Sequence, residues 1–129
     1  MKKNFDEIVC LSHGYNDALA DKAESSEGGV KYDANKLRYD LVPVAAFAEV
    51  VKAYTEGCNK YGERNWEKGI SASRLYAAAQ RHLNSFWDGE DHDKESGLRH
   101  LASAAWNILG MLHFNIRGEF DDRPKGAEK

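Results

Sequence analysis

The chain has 129 residues, enough for one domain with a single core. Hydrophobic residues make up 42% and charged residues 30%, which is typical of a soluble globular protein, and the net charge of −3 argues against binding of duplex nucleic acid. No apolar run reaches the roughly 18 residues of a membrane span, and charged residues interrupt the N-terminal segment where a secretory signal would need an apolar stretch. We therefore expect a cytoplasmic protein with Cys10 and Cys58 reduced.

Residues 1–28 are predicted to form an N-terminal extension. A short helix is expected over about Phe5 to Ala20, followed by a flexible linker, ESSEGG, from Glu24 to Gly29. The spacing of Cys10 and His13 would suit a metal pair, but no second pair accompanies it. At the other end, residues 118–129 form a polar tail that we expect to fray.

Residues 29–117 carry helical periodicity, and three helices are predicted. The first begins at Pro43 and ends at Gly62, the second runs from Ser71 or Ser73 to Gly89, and the third from Ser96 or Gly97 to about Asn115. Their apolar stripes are Phe47, Val50, Val51, Tyr54, Cys58 and Tyr61; Leu75, Ala78, Ala79, Leu83 and Phe86; and Leu98, Leu101, Ala102, Ala105, Leu109 and Leu112. The segments VKYDAN and LRYDLV are candidates for short extended pieces.

The predicted fold class is all-α, a small helical bundle. Three helices make a thin bundle, and Trp106, Met111 and Phe114 lie away from the main stripe of the third helix. A second apolar face of this kind often meets another subunit. We therefore expect oligomerisation, as a homodimer or a homotetramer, to complete the bundle.

The turn between the second and third helices, WDGEDHDKESGLRH, contains five carboxylates between Asp88 and Glu95. Antiparallel packing of the two helices would direct one set of polar side chains toward a common cleft: His82, Glu90, Asp93, His100 and Asn107. Carboxylates suit Mg²⁺, and imidazoles extend the choice toward Mn²⁺, Co²⁺ or Zn²⁺. The turn therefore suggests a divalent metal site.

A structural reading of the same turn stays open. Acidic loops between helices are commonly solvated, and Glu95 could simply favour the dipole of the third helix. His82 could be a core histidine and Asn107 a packing amide. Asp88 and Asp91 are interpreted as surface charge.

Two further segments, KYDANKLRYDLVP and NKYGERNWEKG, place basic and aromatic residues on either side of the first helix. Lys36 and Lys60 could hold phosphate oxygens, Tyr61 or Trp66 could stack on a purine, and Asn65 could contact a base or sugar. The alternative is that both aromatic residues cover the core and that Glu56 and Lys60 form a surface pair. Glu49 and Glu56 are either solvated or additional metal ligands.

Three separated blocks in this order carry a family resemblance: GGVKYDANKLRYDLVP, KYGERNW with Gly69, and RHLNSFWDGEDHDKESGLRHLASAAWN. Over about residues 28–114 the chain resembles the phage dATP/dGTP diphosphohydrolases of the MazZ-like group, which are similar to the all-α MazG-type nucleotide pyrophosphohydrolases. The resemblance implies a MazG-like bundle. It also implies Mg²⁺- or Mn²⁺-dependent cleavage of a purine deoxynucleoside triphosphate to the monophosphate and pyrophosphate, in phages that replace adenine with 2-aminoadenine.

The resemblance also implies roles for individual residues. Glu90, Asp93 and Glu49 would hold metal, and His100, Glu95 or Glu90 would serve catalysis. Substrate binding falls to Lys36, Lys60, Tyr61, Asn65, Trp66, His82 and Asn107. Two departures concern the ligand set: the paired ExxE and ExxD carboxylates of the MazG relatives are absent in clean form, and Ser103 stands where a family histidine is often found.

Two other functions remain as alternatives at this point. One is a phosphohydrolase that releases free phosphate from another nucleotide, and the other is a non-catalytic helical module that binds a host or phage protein. Base preference, between dGTP, dATP and a 2-amino analogue, depends on pocket shape and is not readable from the residues.

Overall fold

The structure, a computed structural model, describes residues 24–26 and 28–125. The expected helix over Phe5 to Ala20 and the Cys10–His13 pair lie outside the described residues. The chain divides between Val42 and Pro43 into two compact units. Within the described ranges, no helix combines the length and apolar character that crossing a membrane requires.

The described part of the first unit contains a small hairpin. Strand β1 (Glu24–Ser26) pairs antiparallel with strand β2 (Gly29–Lys31), with Glu24 opposite Lys31 and Ser26 opposite Gly29. Gly28 has a φ of 84°, which glycine adopts without a steric penalty in a tight connection. Within the segment from Glu24 to Gly29, predicted to be a flexible linker, residues Glu24–Ser26 and Gly29 are therefore paired as strands.

The segment LRYDLV is helical rather than extended. A 3₁₀ helix spans Tyr39–Leu41, and Arg38 forms an ion pair of 2.6 Å with Asp40. The tight turn is made by backbone hydrogen bonds: Leu41 N donates to Arg38 O at 3.2 Å and Val42 N donates to Tyr39 O at 3.3 Å. In VKYDAN, by contrast, Val30 and Lys31 do lie in strand β2.

The second unit is built from three α-helices, which confirms the predicted all-α class. Helix α1 spans Val44–Tyr61, α2 spans Ala72–Trp87 and α3 spans His100–Arg117, with a 3₁₀ helix at Asn65–Lys68 between the first two. Pro43 precedes α1, and Gly62, with a φ of 97°, ends it by donating its N–H to Cys58 O at 2.8 Å. Both ends of α1 therefore follow the predicted signals.

Helix α3 begins later than predicted. Residues 91–99 form a closed loop in which Asp93 N donates to Leu98 O at 2.8 Å and Gly97 N donates to Asp93 O at 2.7 Å. Gly97 has a φ of 78°, which is incompatible with a helical residue. The backbone donors near Ser96 are therefore used within the loop, and the helix starts only at His100.

The core lies along α3, which packs mainly against α2 and also against α1. Its buried apolar side chains are few, and half of them are alanines: Val50, Leu75, Ala79, Ala102, Ala104 and Phe114. Gly110 lets α2 approach closely, since a Cβ added there would lie 3.4 Å from a methyl group of Leu75. This close packing sets the position of the turn between the two helices.

A cluster of aromatic rings closes one end of this unit. Trp66 lies edge-on to His113, with ring centroids 4.9 Å apart, and to Tyr54, at 6.1 Å, while Tyr54 also contacts Trp106 at 5.8 Å. Phe114 is buried. Trp106 and Phe114 thus face inward, and their expected place on an outer face of the third helix is wrong.

The segment after α3 packs back onto α2, where fraying was expected. Phe120 lies against Phe114 at 5.0 Å, and its carbonyl accepts the N–H of Ala72 at 2.9 Å. Asp122 accepts hydrogen bonds from the backbone N–H of Ser73, at 2.8 Å, and from its hydroxyl. Through residue 123 the tail is therefore attached to the first turn of α2, and it supplies the N-terminal cap of that helix.

Candidate functional site

A chain of hydrogen bonds joins α2, the acidic turn and α3. The Nδ1 atoms of His82 on α2 and His100 at the start of α3 lie 2.9 Å apart. On its other side, His100 Nε2 lies 2.7 Å from Glu90 Oε1. His82 is half-buried and His100 is only 4% exposed, so the imidazoles meet in the packed junction between the helices.

Asp93 completes a cluster with the two histidines. One donor atom each from His82, Asp93 and His100 lie within 4.8 Å of one another. The loop holds Asp93 in place, because its backbone N–H and carbonyl are both hydrogen-bonded and its Oδ1 accepts the N–H of Glu95 at 2.9 Å. The sequence prediction that packing of α2 on α3 brings these three side chains together agrees with this geometry.

The environment favours the neutral form of His82. Burial lowers the pKa of its imidazole, the neighbouring His100 lowers it further, and the Asp93 carboxylate acts in the opposite direction. A neutral imidazole has a lone pair available for a metal ion. The cluster therefore has three donors, one carboxylate and two imidazoles, whose chemistry fits a divalent cation.

A pocket of about 500 Å³ opens beside the cluster and is lined by His82 and Asp93. Lys60, Tyr61, Glu95 and Asn107, all expected at the site, also line it, together with Glu56, Ser96, Ser103 and Trp106. Its size suits a small molecule rather than a macromolecule. Among the described residues that line it, Lys60 is the one cationic side chain beside three carboxylates, so a polyanionic ligand would need additional positive charge here.

Asn107 is 6% exposed and lies at the inner wall of this pocket. Its Nδ2 donates to Ser103 O, one turn earlier in α3, at 2.8 Å. The side-chain amide is thereby held in one orientation. Both the packing role and the binding role considered for Asn107 are compatible with that geometry.

A second cavity, of about 840 Å³, lies beside the first and shares Gly57, Tyr61 and Trp106 with it. Asn65 and Trp66 line this cavity. Trp66 is half-buried in the aromatic cluster, which agrees with its interpretation as a core-covering residue. Tyr61 is 61% exposed, and the Lys60 ammonium lies 5.2 Å from the centroid of its ring. Tyr61 is therefore the better placed of the two rings for a purine.

Two further predicted residues are Lys36 and Glu49. Lys36 belongs to the first unit, where it is exposed. Glu49 pairs with Lys52 at 2.7 Å and with Arg99 at 3.2 Å, and the Lys52 ammonium, with help from Arg99, holds the pKa of this carboxyl below its usual value. The charge of Glu49 is thus already compensated, and it lies outside the His82–Asp93–His100 cluster.

The sequence reasoning underrated two pocket residues. Glu56, for which the sequence allows either a solvated carboxylate or an additional metal ligand, lines the pocket one turn before Lys60 on the same face of α1, as the i,i+4 spacing indicates. Trp106 was assigned to an outer face, although it directly precedes Asn107 and lines both cavities. No local signal distinguishes the two sides of α3, because both carry apolar residues.

The fold and the cluster define a small helical domain with a histidine–carboxylate site beside a ligand-sized pocket. The family described as dATP/dGTP diphosphohydrolase, N-terminal, matches residues 26–123, and the chain belongs to this family. The resemblance predicted from the three sequence blocks is therefore confirmed.

A dATP/dGTP diphosphohydrolase of Salmonella phage PMBT28 is 35% identical over 96 residues. The match covers 74% of this chain and 33% of the phage protein, so the chain spans about a third of the length of that relative. No solved structure matches the chain.

Proposed function

We propose that the chain is the catalytic domain of a metal-dependent phage enzyme that hydrolyses dGTP, dATP or both to the monophosphate and pyrophosphate. The observation that carries the proposal is the His82–Asp93–His100 cluster at the wall of a ligand-sized pocket. Membership of the dATP/dGTP diphosphohydrolase family supports the choice of substrate. The printed name of the phage relative points to the same nucleotides.

The charge of the pocket supports metal dependence. Within the part of the chain that the structure describes, the pocket lining has three carboxylates, Glu56, Asp93 and Glu95, and one cation, Lys60, so a triphosphate would meet net repulsion from these side chains. Asp93, His82 and His100 would hold a divalent ion, either Mg²⁺ or Mn²⁺. When bound, such an ion offsets the phosphate charge and lowers the pKa of a contacting water.

The reaction itself needs an in-line attack of water on the α-phosphorus. The bond from the α-phosphorus to the oxygen that bridges to the β-phosphorus breaks, and pyrophosphate leaves with the bonding electron pair. The attacking water loses a proton, and Glu95, whose carboxylate lines the pocket, would accept it. His100 is a poorer candidate, because both of its ring nitrogens are hydrogen-bonded, one to His82 and the other to Glu90. Glu95 is thus the proposed general base.

The remaining pocket residues have binding roles in this scheme. Lys60 would stabilise the charge that accumulates on the pyrophosphate leaving group. The exposed face of Tyr61 would stack on the purine. Asn107, held by its bond to Ser103, would position the substrate through its free amide oxygen.

We also propose that the domain works as a homo-oligomer, a dimer or a tetramer. Large apolar side chains are exposed on α1, where Val44 is 81%, Phe47 51% and Val51 45% exposed, and on α3, where Ile108 is 47% and Leu112 49% exposed. Apolar faces of this kind on a thin bundle favour association with a second copy.

The test is product analysis with the purified full chain. It is incubated with each deoxy- and ribonucleoside triphosphate in the presence of Mg²⁺, Mn²⁺ or a chelator, and the nucleotide and phosphate products are resolved. We expect metal-dependent conversion of a purine deoxynucleoside triphosphate directly to its monophosphate and pyrophosphate. Release of free phosphate, or no turnover from the folded chain, would contradict the proposal.

A substitution at the proposed base tests the mechanism. Glu95→Gln keeps the size of the side chain and removes the proton acceptor, so kcat should fall by about 10²- to 10⁴-fold. The matched control is Asp91→Asn, which removes a carboxylate from the same turn at an exposed position outside the pocket lining. A Glu95→Gln protein as active as the control would exclude Glu95 as the base.

A further inference from the structure

We propose that the His82–Asp93–His100 cluster is a transition-metal site that binds Mn²⁺, Co²⁺ or Zn²⁺ in preference to Mg²⁺, with Glu90 as a positioning residue for His100 rather than a metal ligand. The inference rests on the proposed function, because it specifies which ion the reaction uses and which side chains hold it. It differs from the sequence expectation, in which Glu90, Asp93 and Glu49 formed a carboxylate site for Mg²⁺ or Mn²⁺.

The facing nitrogens of the two histidines define the site. His82 Nδ1 and His100 Nδ1 lie 2.9 Å apart. Two imidazole nitrogens bound to one tetrahedral ion at about 2.05 Å would lie roughly 3.3 Å apart. The separation of the two nitrogens is therefore within a few tenths of an ångström of that of a ligand pair. For an ion to bind, the rings would turn so that both Nδ1 lone pairs meet at it, and the proton between them, which belongs to neutral His82, would pass to Nε2 of the same ring.

Asp93 supplies the third donor. A carboxylate oxygen of this residue lies in the same group of atoms, all within 4.8 Å of one another. The closed loop fixes the Asp93 backbone through Leu98 and Gly97, so the side chain does not depend on a mobile segment for its position. Since the cluster adjoins the pocket, water or a phosphate oxygen could fill the remaining positions around the ion.

The contact between Glu90 and His100 explains why Glu90 is not counted as a ligand. Glu90 Oε1 accepts a hydrogen bond of 2.7 Å from Nε2 of His100. A carboxylate in this position fixes the imidazole tautomer, with the proton on Nε2 and the lone pair on Nδ1, which points at His82. With His100 only 4% exposed, this bond and the surrounding packing hold the ring in the orientation that a ligand needs.

The donor set decides which ion is preferred. Mg²⁺ binds oxygen ligands in near-octahedral geometry and dehydrates reluctantly, so two imidazoles among three protein donors suit it poorly. Imidazole suits the first-row transition ions and Zn²⁺, whose affinities for nitrogen-containing sites exceed that of Mg²⁺. Glu49, which could have added an oxygen donor, is neutralised by Lys52 and Arg99.

The experiment measures metal binding without reference to turnover. The metal-free full chain is titrated with CoCl₂, and the visible absorption of Co²⁺ reports when imidazole nitrogen replaces water around the ion. We expect one saturable Co²⁺ site per chain. ZnCl₂ should displace the bound Co²⁺, and a 100-fold excess of MgCl₂ should not. A Co²⁺ spectrum equal to that of the aqueous ion, or displacement by equimolar MgCl₂, would overturn the proposal.

Variants assign the ligands. His82→Gln should abolish the nitrogen-type Co²⁺ spectrum, whereas His92→Gln, an exposed imidazole in the same turn, should leave the spectrum and affinity unchanged. Glu90→Gln should retain the spectrum with a Kd for Co²⁺ raised by about 10- to 100-fold. If His82→Gln bound Co²⁺ with wild-type affinity, His82 would not be a ligand. If Glu90→Gln bound Co²⁺ with wild-type affinity, Glu90 would not be a positioning residue.

Comparison with product analysis separates this inference from the proposed function. A nitrogen-type Co²⁺ site in a chain that hydrolyses no nucleotide would leave the metal assignment standing and overturn the enzyme proposal. Hydrolysis supported by Mg²⁺ in a chain with no such Co²⁺ site would leave the enzyme proposal standing and overturn the metal assignment. The wild-type titration decides between these outcomes even if a variant does not fold.

Discussion

His100 and Asn107 are the buried polar side chains of the described residues, at 4% and 6% exposure. Burial of a polar group destabilises a fold unless the group finds a partner. Both do so: His100 bonds to His82 and Glu90, and Asn107 bonds to the Ser103 carbonyl. Both side chains are therefore buried with polar partners, and Asn107 also lines the pocket.

The lowered pKa of His82 predicts how stability depends on pH. In the unfolded chain histidine titrates at about 6.5, whereas burial and His100 move the folded value lower. Between the two values the unfolded state binds more protons, so the free energy of unfolding rises with pH. The stability associated with neutral His82 should be complete above about pH 6.5 and be lost as the pH falls through the range below it.

The measurement is denaturant unfolding of the metal-free chain between about pH 5 and pH 7.5. His82→Gln removes the titrating ring and should flatten the rise of stability with pH over this range. His92→Gln serves as the control, since that histidine is exposed and should leave the slope as in the wild type. An equal slope in wild type and His82→Gln would contradict the assignment.

At the scale of elements, the junction between the tail and α2 illustrates how distant segments complete a helix. Ser71 and Ser73 are both of a residue type that is common at the N-cap. The structure has Ser71 at the N-cap of α2, but its side chain makes no capping hydrogen bond. Asp122, 49 positions after Ser73, accepts the N–H of Ser73 instead. The hydrogen bonds that Ser73 donates from its hydroxyl and from its backbone N–H lower the pKa of the Asp122 carboxyl.

The same junction places the Phe120 ring over Gly69. A Cβ at Gly69 would overlap that ring, and the backbone has a φ of 114°, whereas Gly62 has a comparable φ of 97° with nothing within 4 Å of an added Cβ. Gly62→Ala should cost about 1–3 kcal/mol from backbone strain. Gly69→Ala should cost roughly 1–3 kcal/mol more, because steric overlap adds to the strain.

Chemical denaturation of the two variants checks this difference. Adding Phe120→Ala to Gly69→Ala should recover part of the extra cost, since the overlapping ring is then absent. Equal destabilisation by Gly69→Ala and Gly62→Ala would mean that Phe120 does not pack over Gly69 in solution.

At the scale of the whole molecule, a core of few apolar side chains leaves large apolar residues exposed on α1 and α3. We expect the purified chain to have a solution mass two or four times its 14.5 kDa. A glutamate in a buried subunit contact would carry an unpaired charge out of water, so Val51→Glu or Leu112→Glu should lower the mass toward that of one chain.

Light scattering over a range of protein concentrations makes this measurement. Tyr76→Glu is the control, since Tyr76 is a 58% exposed aromatic residue on α2, outside both of these faces. In each variant the free energy of unfolding of the single chain should change by no more than about 0.5 kcal/mol, because the replaced side chain is exposed on it. A wild-type chain that stays monomeric at every concentration would exclude the proposed assembly.

The sequence by itself determined the helices and the convergence of His82, Asp93 and His100. Both results depend on local rules, namely the 3.6-residue period, the glycine and proline boundaries, and the antiparallel return of two helices joined by a short turn. The family blocks depend on the same local order of residues.

Only the tertiary structure decided how these local pieces use one another. It showed that Trp106 and Phe114 face inward, that Glu49 is neutralised by Arg99, and that Asp122 caps α2. It also showed Glu90 bonded to His100. These contacts join segments that are far apart in the chain. Which carboxylate contacts His100, and which apolar face of α3 is buried, depends on how the helices pack against each other, and the spacing of residues within one helix does not specify that.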